Sequence, residues 1–325
     1  MTKVKNYLSL IKFSHTIFAM PFALIGFFLA LRELRNSITG AGNGEYQFLL
    51  PQGAAMDTMA VRFFKAYSLE KPTWPVVLLY LGLVILCMVF ARSAAMAFNR
   101  YLDRRIDARN PRTAIREIPA GVISPRSALT FTIISSLLFI TCTFFINRLC
   151  FYLSPVALAV ILGYSYTKRF TPLCHLILGV GLSLAPIGAW LAVMGSFAWL
   201  PLIFSFVVIT WVSGFDIIYA LQDEAFDQSQ QLYSIPAALG RKNALHVSEL
   251  LHLLSAAGVL AAGWYGAFGW LYWIGAAVFS GMLLYQHAIV KPDDLRRVNL
   301  AFMTANGVAS VVFAAFVIAS LFIKI

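Results

Sequence analysis

Acidic residues are scarce in this chain. It holds 14 Asp and Glu against 25 Lys and Arg in 325 residues, and only 12% of its residues are charged. With 60% hydrophobic residues and a mean hydropathy of +0.78, that scarcity excludes an ordinary soluble domain. Cysteine is rare too. Cys87, Cys142, Cys150 and Cys174 show no paired spacing and fall in or beside apolar runs, so they read as small buried hydrophobes, not as a disulfide framework or a metal site. A small-residue cleavage site after the first apolar run is missing as well. Residues 31–34, Leu-Arg-Glu-Leu, follow it, so the run reads as a retained helix and not a signal peptide.

What is present is a series of apolar runs, each close to the roughly 20 residues that cross a bilayer. About nine are expected, near 12–31, 76–98, 127–146, 150–167, 172–194, 199–220, 246–265, 268–290 and 299–323. The expected architecture is an all-α integral membrane bundle around a central cavity open to the cytoplasmic side. It forms a single domain over 1–325, with an inserted non-cytoplasmic loop at about 36–75. That insert carries Gly40, Gly42, Gly44 and Gly53 ahead of a partly amphipathic stretch at 56–67, which reads as a surface-lying or mobile loop.

The net charge of +11 follows topology and does not indicate nucleic acid. With the N-terminus inside and loops alternating, the inner side receives Lys3, Lys5 and Lys12, the basic cluster of 100–126, Lys168 and Arg169, Arg241 and Lys242, and Lys291, Arg296 and Arg297. Outer loops hold few cations apart from the long first one, with Arg32, Arg35, Arg62, Lys65 and Lys71. This is the positive-inside pattern of a cytoplasmic (inner) membrane protein.

Six of the 14 carboxylates lie in two windows: NRYLDRRID at 99–107 and DIIYALQDEAFD at 216–227. In a helix Asn99, Asp103 and Asp107 advance about 40° per step of four, which keeps them in one stripe roughly 12 Å long. Asp216, Tyr219, Asp223 and Asp227 are likewise expected on one helical face, with Asp216 about two turns deeper than Asp223. The loops after these windows, 103–126 and 221–243, fall on the same side by alternation and can meet over one mouth. Such acid stripes have three readings: solvated faces paired with arginines, a proton or cation relay of a transporter, or magnesium sites for a phosphate ester. The neighbouring basic residues favour the last, because Mg2+ uses one or two carboxylates plus substrate phosphate oxygens while Arg and Lys contact phosphate directly. A transporter would place its acids near the membrane midplane with a broken helix, for which Pro186 is the candidate. His246, Glu249 and His252 step by three along one helix, which suits local contacts better than a zinc site.

The two windows, together with DRRIDARNPRT at 103–113, YSYTKR at 164–169 and LAPIGAW at 184–190, resemble the UbiA superfamily of intramembrane prenyltransferases. The match is to its 4-hydroxybenzoate polyprenyltransferase-like branch and covers nearly the whole chain except 36–75. The resemblance implies Mg2+-dependent transfer of a polyprenyl group from its diphosphate to a small aromatic acceptor, as in ubiquinone or menaquinone biosynthesis. By that resemblance Asp103, Asp107, Asp223 and Asp227 would hold Mg2+, and Asn99 would orient an ion or a phosphate oxygen. Lys168 and Arg169 would grip diphosphate, with Arg104 and Arg116 as further candidates. Asp216 would face the acceptor or the developing cation, or else bond a neighbouring helix. Tyr166 and Tyr219 would line the cation's pocket, or serve as core tyrosines. Lys12 and His15 would meet an acceptor carboxylate, or only satisfy topology. The acceptor stays open between a hydroxybenzoate, a dihydroxynaphthoate, a haem vinyl group and a chlorin.

Overall fold

The computed structural model describes residues 3–11, 18–39, 58–68 and 71–323. Among these, helix accounts for every regular element. The order is α1 (Lys3–Leu10), α2 (Met20–Thr39), α3 (Met59–Ser68), α4 (Trp74–Asp107), α5 (Pro125–Ile146), α6 (Arg148–Thr167), α7 (Cys174–Met194) and α8 (Trp199–Ala220). A 3-10 turn (Leu221–Asp223) leads into the short α9 (Glu224–Ser229), followed by α10 (Ile235–Tyr265) and α11 (Trp270–Ile289). A π-helical segment (Leu300–Ala305) runs into α12 (Asn306–Phe322).

Local sequence explains the helix ends. Ser124 caps α5 by accepting from Ser127 N–H, with Pro125 just inside the helix, where its missing N–H costs nothing. Asn147 joins two helices: its Oδ1 accepts from Cys150 N–H at 2.8 Å, and its Nδ2 donates to Leu191 O of α7 at 2.8 Å. Gly195 ends α7 at φ 66°, a left-handed conformation that suits glycine. The π segment has a partner for its loosened carbonyls, because Asn306 Nδ2 donates to Ala301 O and Phe302 O.

Among the described residues seven helices are long and apolar enough to cross a membrane, where about nine spans are expected over the whole chain. The two runs that fall short correspond to α2 and α11, each 20 residues long. Arg32, Glu33 and Arg35 dilute the apolar character of α2, and Gln286 and His287 that of α11. Both nevertheless pack into the bundle. α8 lies between α7 and α10, α2 runs along α7, α11 pairs with α12, and α4 pairs with α5. Helix α7 continues unbroken through Pro186, so the broken helix of a transporter reading is not seen there. Within 36–75 the described part includes α3, whose Met59 and Phe63 are buried in the main core.

That core is aromatic. Fully buried Trp211 packs on Phe22, Phe215 and Phe279, and its indole N–H donates to Asn306 Oδ1 at 2.9 Å. Gln286 Nε2 donates to the same oxygen, so one amide oxygen joins α8, α11 and α12, while Gln286 Oε1 is buried without a hydrogen bond. His252, expected to interact along its own helix, instead crosses to His287 of α11 at 2.8 Å, while His246 keeps its local contact with Glu249 at 3.1 Å. All four cysteines are free thiols, with Cys142 and Cys174 buried.

Close helix approach depends on glycine at two places that matter below. A Cβ at Gly26 of α2 would lie 2.1 Å from Pro186 O of α7. At Gly179 of α7 it would lie 2.5 Å from Ser213 Oγ and 2.6 Å from Ile209 O of α8. Gly26→Val therefore forces α2 off α7, and overpacking of this kind costs about 1–3 kcal/mol. The midpoint of thermal unfolding in detergent should fall. An unchanged midpoint would show that the α2–α7 contact is not as tight as described.

Candidate active site

The cation-rich ends of α4 and α6, the start of α7, the end of α8 and the loops at 108–124 and 221–234 surround a cavity of about 210 Å³. Its walls include Asn99, Asp103, Asp107, Arg116, Lys168, Arg169, Asp216, Tyr219, Asp223 and Asp227. Ten of the residues singled out by sequence thus meet in one place.

The first acid window behaves as expected, since α4 runs unbroken to Asp107. Asn99 Nδ2 donates to Asp103 Oδ2 at 3.1 Å, one turn along. The second window departs from expectation. α8 stops at Ala220, a 3-10 turn follows, and Asp227 lies on the separate α9. No single helical face carries Asp216, Tyr219, Asp223 and Asp227. All four still line the cavity because the turn re-aims the last two. The physical reason is a cross-loop clamp. Arg112 forms a two-pronged contact with Asp223, its Nε donating to Oδ1 at 3.0 Å and its Nη2 to Oδ2. Arg112 Nη1 donates to Tyr219 Oη at 2.9 Å, and Asn110 Nδ2 donates to Asp223 Oδ1 at 3.1 Å. Arg109 bonds Gln230, so the two loops do close over one mouth.

Each cavity acid has a basic partner. Asp103 Oδ1 accepts from Arg169 Nη2 at 2.7 Å, and Asp107 Oδ1 from Arg116 Nη1 at 2.6 Å. Lys168 Nζ sits 2.7 Å from Asp227 Oδ1, while Ser234, the cap of α10, donates to Asp227 Oδ2. Asp216 Oδ2 is 2.7 Å from His175 Nδ1. Burial works against the charge on Lys168, but Asp227 and then Asp223 outweigh it and hold its pKa above the usual lysine value. Burial likewise opposes the charge on Arg112, and Asp223 with Tyr219 more than offsets it.

These contacts bear on whether Mg2+ fits. Among the described residues no three His, Cys, Asp or Glu side chains converge as a ready-made metal cage. Magnesium does not need one, since it completes its shell from phosphate and water. Hard carboxylate oxygens face the cavity from two walls. Asp107 Oδ2 is buried without a hydrogen bond, and its nearest cation, Arg100 Nη1, is 4.0 Å away. A buried anionic oxygen left this way is costly and is available to a cation. The donor set fits.

Two candidates are not brought to the cavity wall, and two lie outside the described residues. Arg104 turns away from the cavity, donating to Tyr101 O at 2.6 Å and stacking over the Tyr101 ring at 4.6 Å. This leaves its guanidinium satisfied locally. Tyr166 is not a wall residue. It is 46% exposed and packs on Phe98, with Arg169 over its ring. Lys12 and His15 lie outside the described residues. Sequence reasoning also missed two residues of the cavity wall. Arg112 sat unassigned in the NPRT stretch, and His175 lies six positions past Arg169 in an apolar run. Arg92 of α4 shares the helical phase of Asn99 at i−7 and has a buried Nε without a hydrogen bond, but it is not among the cavity residues.

Comparison with known proteins agrees with this geometry. Residues 60–320 match the model of the UbiA prenyltransferase family. A 4-hydroxybenzoate octaprenyltransferase of Nitrosospira multiformis is 31% identical over 234 residues, spanning 72% of this chain and 80% of that protein. One from Aliivibrio salmonicida is 30% identical over 251 residues, spanning 75% and 84%. The apo structure of a UbiA homologue from Aeropyrum pernix K1 superposes with a TM-score of 0.69 at 28% identity, covering 94% of this chain and 96% of that one. A UbiA homologue from Archaeoglobus fulgidus bound to GPP and Mg2+ shares the fold with a TM-score of 0.65 at 17% identity, covering 98% and 100%. With its apolar helices and paired acid windows, the chain is an integral membrane protein that belongs to the UbiA prenyltransferase family.

Proposed function

We propose that the chain transfers a polyprenyl group from polyprenyl diphosphate to a small hydroxy-aromatic acid, with 4-hydroxybenzoate the acceptor favoured by its relatives' names. The observation that carries this reading is the pairing of Asp103, Asp107, Asp223 and Asp227 with Arg169, Arg116, Arg112 and Lys168 across one cavity. Those pairs hold as many cations for a diphosphate as carboxylates for a metal.

On loading, the pairs exchange partners. Lys168, Arg169, Arg112 and Arg116 turn to the diphosphate oxygens, where bidentate and charge-assisted contacts are strongest. The freed carboxylates of Asp103, Asp107, Asp223 and Asp227 would hold Mg2+, with Asn99 keeping Asp103 in its rotamer. Bound Mg2+ supplies neutralisation of the departing diphosphate. The basic residues stabilise the same developing charge in a site prepared before reaction. Tyr219 lines the cavity with its ring stacked on Phe302 and covered by Arg112, and the turn of Arg112 to the diphosphate frees that face for the allylic carbon. The positive-inside distribution supports a bacterial cytoplasmic membrane location with the N-terminus and the site on the cytoplasmic side. It also supports one domain carrying the 36–75 insert on the opposite side.

The test is a membrane assay with labelled polyprenyl diphosphate, offering 4-hydroxybenzoate and a dihydroxynaphthoate separately. Mg2+-dependent label in an aromatic product supports the reading, and its absence from both with folded protein contradicts it. Asp103→Asn and Asp223→Asn should each lower kcat by about 10²-fold or more with the fold intact, and wild-type turnover in either would refute the carboxylate assignment. Lys168→Ala should raise the KM for the diphosphate more than that for the acceptor. An equal rise in both would remove Lys168 from the diphosphate site.

A further inference from the structure

Of the five aspartates lining the cavity, four contact an Arg or a Lys, and Asp216 contacts only a histidine. The absence of a side chain at Gly179 lets α7 close on α8, and Ser213 Oγ of α8 donates to His175 O at 3.1 Å. His175 is 3% exposed, with Nδ1 2.7 Å from Asp216 Oδ2. Its Nε2 faces the backbone N–H of Ile235 at 3.4 Å. That N–H can only donate, so Nε2 is the acceptor and the ring proton sits on Nδ1, directed at Asp216. The tautomer is thus set by a partner on α10. One Asp216 oxygen is held, and the side chain, 24% exposed, remains part of the cavity wall. Asp216 lies about 10 Å deeper along the chain than Asp223, beyond the diphosphate end. His246, His252 and His287 are not among the cavity residues.

We propose that His175 is a positioning residue that holds Asp216 as the acceptor of the proton lost from the aromatic ring. The inference rests on the prenyl-transfer reading above. In the step, the C1–O bond of the allylic diphosphate breaks and its electron pair leaves with the diphosphate. A ring π pair forms the new C–C bond to C1. The ring C–H bond at that carbon then breaks, its electrons restore aromaticity, and the proton passes to the free oxygen of Asp216. The His175 N–H keeps its bond to the other oxygen throughout. Asp103, Asp107, Asp223 and Asp227 are unsuited to this role because each is engaged with the metal and diphosphate charge.

The test compares full-length wild type with His175→Leu, His175→Asn and Asp216→Asn, reconstituted in lipid, using acceptor bearing hydrogen or deuterium on the ring carbons beside the hydroxyl. His175→Leu and Asp216→Asn should lower kcat by about 10²-fold with little change in either KM. A primary ring-deuterium isotope effect should emerge as proton loss becomes limiting. His175→Asn, whose amide N–H stands near the position of Nδ1–H, should recover much of the rate and reduce the isotope effect. Near-wild-type turnover in His175→Leu, or a loss of rate without an isotope effect, overturns the proposal. If His175→Leu does not fold, Asp216→Asn and His175→Asn carry the same decision, because no isotope effect in Asp216→Asn is also fatal. A wild type that yields no aromatic product indicts the prenyl-transfer reading itself, whereas failure of the dyad shows only against an active wild type.

Discussion

Charge compensation in a membrane protein is the constraint on which this structure turns. A chain with so few carboxylates places five of them on one cavity, where an uncompensated charge is expensive. Four are therefore matched by a cation, Asp103 by Arg169, Asp107 by Arg116, Asp223 by Arg112 and Asp227 by Lys168, while Asp216 is held by the ring N–H of His175. The pairs cross from one element to another, so they also tie α4, α6, α7, α8 and the two loops into one assembly. A site of this kind is close to neutral as a whole yet dense in both signs. It can receive an anion and a cation together with little change in net charge.

Packing holds the pairs at their distances. Gly26 and Gly179 allow α2 and α8 to approach α7 from two sides, and the Trp211 aromatic cluster with Asn306 and Gln286 fixes α8 against α11 and α12. α8 thereby carries Asp216 and Tyr219 to the cavity on a rigid support. The rest of the second window lies on the 3-10 turn and α9, which Arg112, Lys168 and Ser234 anchor from other elements. The deeper groups are thus presented by one helix and the shallower ones by contacts between elements.

Much of this was legible in the sequence, for identifiable reasons. The first window reads correctly because Asn99, Asp103 and Asp107 sit on an uninterrupted helix, where periodicity fixes direction. The second window was misjudged because helical phase held only to Ala220. Beyond it the path is set by Arg112 and Lys168, distant in sequence. His175 and Arg112 went unassigned for the same reason, since their partners lie 41 and 111 residues away. Arg104 and Tyr166 looked like site residues by proximity in sequence, but each finds a closer partner outside the cavity. The expected span at 12–31 begins in residues outside those described and continues as α2, and the one at 268–290 is α11; both pack within the bundle while falling short of a spanning helix by composition.

Partner exchange makes one thermodynamic demand. If the carboxylates are occupied by Arg and Lys until diphosphate claims those cations, Mg2+ and diphosphate must each strengthen the other's binding by the same factor. The most direct measurement is a calorimetric titration of the lipid-reconstituted full-length chain with Mg2+, with and without a non-cleavable prenyl diphosphate analogue. The analogue's own affinity for free Mg2+ is subtracted. Exchange predicts mutual tightening of at least about fivefold. Mg2+ binding that is equally tight with and without the analogue would contradict it.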